Sequence, residues 1–200
     1  MSSSNLHILQ GLTKLRQICN SLALLSDQEF YGNDSAKIIE LLTQINNLKN
    51  QHKILVFSQF VEMLELVKTE LDKSNIPYAY LTGKTKDREE QVRLFQEEDE
   101  VRVFLISLKA GGTGLNLTQA EYVFLIDPWW NPAVENQAID RAHRIGQKNK
   151  VIAVRLIIPN TIEEKILNLQ QKKKKLAEDL VSIDQNVFKS LSKDDLLDLV

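Results

Sequence analysis

The sequence predicts an α/β fold: an open parallel sheet flanked by helices, with a helical segment before it and a long helix after it. Three observations carry this. Short apolar runs rich in β-formers alternate with stretches of helical period from residue 53 onward, the pattern of a sheet built with right-handed crossovers. The run KILVFS, 53–58, has the unbroken apolar character of a strand covered on both faces, as in a parallel sheet. The chain has 200 residues, 43% of them hydrophobic, which is enough for one compact domain with a real core and a terminal extension.

The elements follow in order. Leu6, Leu9, Leu12, Leu15, Ile18, Leu22 and Leu25 recur at helical spacing and predict a helix over 5–25 that needs a surface to lie on. Residues 26–35 are polar with one glycine and read as a loop or linker. A second amphipathic helix, AKIIELLTQINNLK, follows with Ser35 as its N-cap. Strands are expected over 53–58, 78–82, 101–107, 121–127 and 150–158. Helices are expected over 60–74, over 86–98 with a solvated charged face, and over 132–146 with Gly146 near the C-terminus. The last helix spans 161–183, where Thr161 and Glu164 have the spacing of a capping box. A short amphipathic tail, 191–200, closes the chain, and no internal repeat is visible.

Composition narrows the function. The net charge of -2 means that any polyanion must meet a local basic surface. Cys19 is the only cysteine, so a disulfide framework is excluded and a reducing compartment fits. No apolar run approaches ~18 residues, so no membrane partner is expected. Met1 to Ser4 read as a flexible start or an expression scar, not as a signal peptide.

Gly83-Lys84-Thr85 has the ending of a phosphate-cradling P-loop, G-x-x-x-x-G-K-[ST]. The first glycine of that motif would fall on Tyr78, and Ala79 to Thr82 include strand formers unsuited to a wide loop of inward amides. The plain alternative is a strand-to-helix turn in which Gly83 supplies an unusual backbone angle. A third reading is a phosphate contact through Thr82, Lys84 and exposed amides, compatible with a nucleic-acid backbone.

Chemistry is densest over 107–147. Gly111, Gly112 and Gly114 gather directly after a strand, where a loop can let backbone approach a ligand or simply turn tightly. On a helix over 132–146, Gln137, Arg141 and Arg144 fall at i, i+4 and i+7 and share a face, beside an apolar stripe of Val134, Ala138, Ala142 and Ile145. Two neighbouring guanidiniums suit bidentate oxyanion contacts, and a salt-bridged solvated face is the competing reading, with Asp140 able to pair with one of them. Trp129 and Trp130 sit between prolines in DPWWNP; at least one is expected at a joint, and stacking on a nucleic-acid strand is the alternative.

Together these segments resemble the second RecA-like lobe of the Swi/Snf family of superfamily 2 helicase-like ATPases, the DNA translocase and chromatin-remodeller type, over about residues 5–200. LTKLRQICN is similar to the inter-lobe segment, KILVFSQF to motif four, and YLTGKTKDREEQVRLF to the segment after it. SLKAGGTGLNLTQA is similar to motif five, and DPWWNPAVENQAIDRAHRIGQ to the signature closing with motif six, the most specific of the set. LSKDDLLDLV resembles the tail found beyond the lobe in many members. ICNSLAL departs from the pattern, since the family more often has a proline soon after Cys-Asn, which leaves the path of the linker open.

The resemblance implies an organisation and a set of roles. Residues 1–34 would be an inter-lobe helical linker, 35–160 the RecA-like C-terminal lobe without a P-loop of its own, and 161–200 a brace helix and tail. Arg141 and Arg144 would reach ATP phosphates bound in the partner lobe, Arg144 as the arginine finger. Gln137 would orient nucleotide or arginines, with Gly114 and Asn116 on the nucleotide side. Gln59, Thr82, Gly83, Lys84, Ser107, Lys109 and Gly111 would face the backbone of double-stranded DNA, and Trp129 and Trp130 would couple lobe movement to DNA tracking. ATP with Mg²⁺ would be held mainly by the N-terminal lobe of the same polypeptide, because its P-loop and acidic quartet are absent here; no metal site is expected in this chain. Nucleoprotein or RNA polymerase are the cargo partners such a motor suggests, in bacterial cytoplasm and nucleoid or in a nucleus. The isolated chain would have almost no ATPase activity. Two other readings remain: a non-catalytic RecA-like DNA- or protein-binding module, and a strand-separating helicase. The lysine run 172–175 is a DNA contact in one reading and a solvated helix face in the other.

Overall fold

A computed structural model describes residues 3–25, 35–111, 114–144, 146–147 and 149–179. The chain opens with α1 (Ser3–Asn20) and one 3₁₀ turn (Leu22–Leu24), then α2 (Ala36–Leu48). There follow β1 (Lys53–Ser58), α3 (Val61–Lys73), β2 (Tyr78–Leu81), α4 (Arg88–Glu97), β3 (Val103–Ser107) and the single turn α5 (Leu108–Gly111). The last elements are β4 (Ala120–Leu125), α6 (Pro132–Ile139), β5 (Ile152–Arg155) and α7 (Ile162–Asp179). Positions 26–34, 180–183 and the 191–200 tail lie outside the described residues.

The five strands form one parallel sheet in the order β2-β3-β1-β4-β5. Every residue of β1 and β3 is buried, as the apolar run of 53–58 predicts for a central strand. The chain steps from β1 outward to β2 and then returns across the sheet. A right-handed crossover that reverses direction must change faces, and the core obeys this. Ile54 and Val56 pack with Ile38 and Leu41 of α2 and Met63 and Leu64 of α3 on one face. Leu55 and Phe57 pack with Phe95 of α4, Leu108 of α5 and Ala138 of α6 on the other. The connection leaving β1 therefore diverges from those leaving β3 and β4. That divergence opens a crevice at the carboxyl ends of the three central strands, where α/β sheets take their ligands.

Several boundaries shift, each for a local reason. The first helix stops at Asn20 rather than running to 25, because Ser21 is extended (φ -167) and its Oγ accepts from the amide of Ala23. The helix expected over 132–146 ends at Ile139. There the ladder tightens: Arg141 N donates to Ala138 O and Ala142 N to Ile139 O, both i to i−3, while Arg141 O is taken by Leu117 N at 2.9 Å. The backbone carbonyl that would extend the helix anchors the loop before β4 instead. The strand expected over 150–158 pairs only over Ile152–Arg155 and is an exposed sheet edge, where short strands are usual.

The caps at Ser35 and Asp87 form as local chemistry dictates, accepting from Ile38 N and Glu90 N. At α7 the box is displaced by one residue: Thr161 Oγ1 accepts from Glu163 N at 3.2 Å, but Glu164 Oε2 accepts from Asn160 N at 2.8 Å rather than from Thr161. At the other end of a helix, Lys53 Nζ donates to the carbonyls of Phe95, Gln96 and Glu98, closing the C-terminus of α4.

Candidate nucleotide and nucleic-acid surfaces

Gln137, Arg141 and Arg144 do converge, though not as one helical face. Gln137 lies on α6, whereas Arg141 and Arg144 lie in the turns that follow it. Those turns bring both arginines to an open cleft of about 950 Å³ lined by Asn116, Gln137, Asp140, Arg141, His143 and Arg144. Asn116 arrives from the loop between α5 and β4, and Gln96 Nε2 holds its carbonyl at 2.9 Å. Arg144 Nη1 reaches Leu115 O at 3.4 Å. Gly114 takes φ +57, a left-handed angle that favours glycine, and lines the adjoining groove beside α4 rather than the arginine cleft itself. Of the expected apolar stripe, Ala138 on α6 and Ala142 in the turn after it are buried, Val134 packs against the same core, and Ile145 lies outside the described residues. Two guanidiniums at a solvent-open cleft with one carboxylate, Asp140, have donors to offer an oxyanion. Among the described residues there is no group of three or more His, Cys, Asp and Glu that could hold a metal ion.

The second surface lies at the carboxyl ends of the strands. A mostly apolar pocket of about 350 Å³ is lined by Gln59, Leu108, Lys109, Trp129 and Val134. Of the residues after β3, Lys109 is exposed, whereas Ser107 is buried with its Oγ accepting from Ala110 N at 3.4 Å. Gly111 is also buried, and a Cβ there would come within 2.9 Å of Phe57. Ser107 and Gly111 thus shape the turn and Lys109 presents its side chain. After β2, Thr82 is buried and its Oγ1 accepts from Lys84 N at 3.3 Å, while Thr85 N donates to Thr82 O and Thr85 Oγ1 accepts from Thr82 N. The amides of Lys84 and Thr85 are committed inside this turn, which removes the P-loop cradle a second time. Gly83 and Lys84 are exposed. The positive-φ glycines among the described residues are Gly114 and Gly146, not Gly83, so the unusual angle expected there is absent.

The two tryptophans divide. Trp130 is buried with Leu12, Ile162 and Ile166 in a small cluster joining α1 to α7, and Trp129 is half-buried and lines the pocket. Around them lies a polar network not anticipated from sequence. Arg16 of α1 donates through Nη2 to Pro128 O at 2.6 Å and faces Asp127 Oδ2 at 3.7 Å. Its guanidinium carbon stands 5.5 Å from the ring centres of Phe60 and Trp129 and 5.4 Å from that of Trp130. Asp127 accepts from Ser58 Oγ at 2.5 Å and Gln59 N at 3.2 Å. Glu135 accepts from Trp129 N at 2.7 Å and from Arg155 Nε at 2.8 Å. Gln170 of α7 donates to Trp129 O and, at 3.2 Å, to Glu135. Lys37 joins Glu163 at 2.5 Å, Ile126 O at 2.6 Å and Asn20 Oδ1 at 3.0 Å.

Burial dominates the electrostatics here. It pushes Asp127 above the usual carboxylate range, with Arg16 pulling the other way, and does the same to Glu163 against Lys37. It draws Arg16 and Lys37 down, opposed by the same partners. A signal for Arg16 existed: it falls four residues after Leu12 on the stripe that Ile8 and Cys19 continue, a charge on a buried helix face. Asp127 and Glu135 stood inside the motif-six segment but carried no sign that they would be interior.

The chain matches known proteins along most of its length. The helicase conserved C-terminal domain family matches residues 35–146. A protein named as an ATP-dependent helicase from Mycoplasma genitalium is 41% identical over 196 residues, covering 97% of this chain and 19% of the relative. The chain therefore spans about a fifth of the length of such curated relatives. The Sulfolobus solfataricus SWI2/SNF2 ATPase C-terminal domain superposes with a TM-score of 0.71 at 35% identity, covering 96% of this chain and 80% of that one. The C-terminal part of the Fun30 ATPase domain does so with a TM-score of 0.70 at 30% identity, covering 94% and 60%.

Proposed function

This chain belongs to the helicase conserved C-terminal domain family, of the Swi2/Snf2 type, and on that premise we propose that it is the arginine-bearing lobe of an ATP-dependent motor that tracks double-stranded DNA. The observation that carries the reading is the convergence of Gln137, Arg141 and Arg144 on one open cleft. An N-terminal lobe of the same polypeptide supplies the phosphate cradle and the Mg²⁺ ligands. When the lobes close, Arg144 neutralises charge that develops on the transferring phosphoryl group, Arg141 binds phosphate oxygens, and Gln137 with Asn116 orients them. Gly114 gives the loop the angle that carries Asn116.

DNA lies along the carboxyl-end crevice and the Thr82–Lys84 turn. Lys84 and Lys109 contact phosphates, Gln59 and the Gly83 backbone approach them, and Thr82, Ser107 and Gly111 hold the contacting loops in shape. Trp129 forms one wall and Trp130 ties that wall to α1 and α7. Contacts of this kind position the protein without reading sequence. Helix α6 serves both surfaces, since Val134 faces the crevice pocket and Gln137 the arginine cleft, so a shift of α6 on lobe closure reaches both. The motor works inside the cell, on DNA or nucleoprotein.

The test is DNA-stimulated ATP hydrolysis by the full-length protein. Arg144→Ala lowers kcat by roughly 10³ or more, by the measure of other arginine fingers. An unchanged kcat removes that role, and substantial hydrolysis by residues 1–200 alone removes the half-site reading. A strand-displacement assay on a forked duplex separates translocation, which leaves the duplex intact, from unwinding.

A further inference from the structure

The DPWW loop is held from two directions. From α1, Arg16 grips the Pro128 carbonyl, faces Asp127 and lies among the rings of Phe60, Trp129 and Trp130. From α7, Gln170 holds the Trp129 carbonyl. Asp127 passes the constraint on: its two oxygens accept from Ser58 Oγ and from the backbone amide of Gln59. Trp129 and Gln59 are two of the residues that line the crevice pocket. A side chain on the segment leading into the lobe thus fixes opposite ends of one wall of the crevice, and does so while itself 2% exposed.

The chemistry is a costly way to attach a helix. Arg16 Nε is buried without a hydrogen-bond partner, and burial pushes the Asp127 carboxyl up and draws the Arg16 guanidinium down against their mutual attraction. Leu12, one turn earlier, fastens the same helix by apolar contact with Trp130, Ile162 and Ile166 and has no such cost. Arg16 supplies what an apolar residue at its position would not: simultaneous hold on a carbonyl, a carboxylate and two indoles in one geometry.

We propose that Arg16 is a positioning residue for nucleic-acid binding, setting the Trp129–Gln59 wall of the crevice according to where α1 lies. The inference rests on the reading of the crevice as a DNA surface. In the full-length motor, movement of the inter-lobe segment would then loosen or tighten the grip on DNA through Arg16, without Arg16 touching DNA.

The experiment measures affinity of the full-length protein for a labelled duplex of mixed sequence at one fixed salt concentration. Four proteins are compared: wild type, Arg16→Met, Arg16→Lys and Leu12→Ala, with urea unfolding of each. Arg16→Met is expected to weaken duplex binding about tenfold. Arg16→Lys, which keeps the charge but lacks the planar fork that reaches the Pro128 carbonyl while lying among the rings of Phe60, Trp129 and Trp130, falls between it and wild type. Leu12→Ala loses stability and weakens duplex binding much less than Arg16→Met, because it loosens α1 while the Arg16 contacts with Pro128 and Asp127 remain. Equal binding by wild type and both Arg16 variants overturns the proposal, as does a loss in Leu12→Ala as large as in Arg16→Met. Should Arg16→Met not fold, the comparison of Arg16→Lys with Leu12→Ala decides by the same criterion. Absence of duplex binding by the wild type overturns instead the DNA reading of the crevice, and this inference with it.

Discussion

Replacing Gly111 by alanine tests the packing that shapes the crevice. Gly111 ends α5 against the wholly buried ring of Phe57 on β1. The added Cβ would stand 2.9 Å from Phe57 Cε1, 3.3 Å from Ile106 Cγ2 and 3.6 Å from Phe57 Cδ1. Carbon pairs settle at about 3.5–4.0 Å, so the ring edge must retreat by roughly half an ångström or more. Phe57 is a core residue of a central strand, packed with the other side chains of its face, and has nowhere free to go. Overpacking of this kind costs about 1–3 kcal/mol, and alanine's better helix propensity returns at most about 1 kcal/mol. The expected net loss is about 1–2 kcal/mol. Urea unfolding followed by circular dichroism should show a lower midpoint at an unchanged slope, and melting should fall by about 2–8 °C for a chain of this size. Adding Phe57→Leu, which lacks the clashing ring edge, should make the double variant less costly than the sum of the single ones by about 1 kcal/mol. A wild-type midpoint for Gly111→Ala, or strict additivity of the pair, would refute the steric account.

Other glycines should respond differently. Gly83→Ala finds open space and no positive φ, so stability should stay within about 0.5 kcal/mol, measured by the same unfolding. Gly114→Ala also finds space but sits at φ +57, and should cost about 1–2 kcal/mol by forcing a side chain into the left-handed region. Lys53→Met leaves the α4 carbonyls of Phe95, Gln96 and Glu98 without their shared donor, and a loss of about 1–3 kcal/mol is expected in urea. Asp127 and Glu163 are raised by burial, so the folded chain keeps protons that the unfolded chain releases above about pH 4. Their stabilising contribution is whole below that range and shrinks as pH rises through their folded values. Asp127→Asn should therefore lessen the fall of the urea midpoint between acid and neutral pH, and an unaltered pH profile would contradict the sign.

Much of the site is legible in the chain because its determinants are local or periodic. The unbroken apolar run of 53–58 needs cover on both faces and so sits at the centre of the sheet. Alternation of strand and helix leaves little choice but parallel pairing with right-handed crossovers. Ser35 caps an amide only three residues away, so its acceptor role is written locally, while its hydroxyl proton goes to the carbonyl of Asn20. The order of motifs around Gln137, Arg141 and Arg144 marks them as a group, although the shared helical face suggested by their spacing is not how they meet.

Tertiary structure decides what depends on partners distant along the chain. The arginines meet through turns after Ile139, because Leu117, far earlier in the sequence, takes the carbonyl of Arg141 and ends the helix. Arg16, Asp127, Glu135 and Gln170 become one buried network only when α1, the ends of β1 and β4, and α7 come together across as many as 112 residues between bonded partners. No period or motif encodes that meeting, since a charge enters the interior only where a folded neighbour supplies its counter-charge and hydrogen bonds. The sequence by itself determined the sheet, the helices and the residues with chemistry to offer. The folded chain determined which of them face a ligand and which hold the others in place.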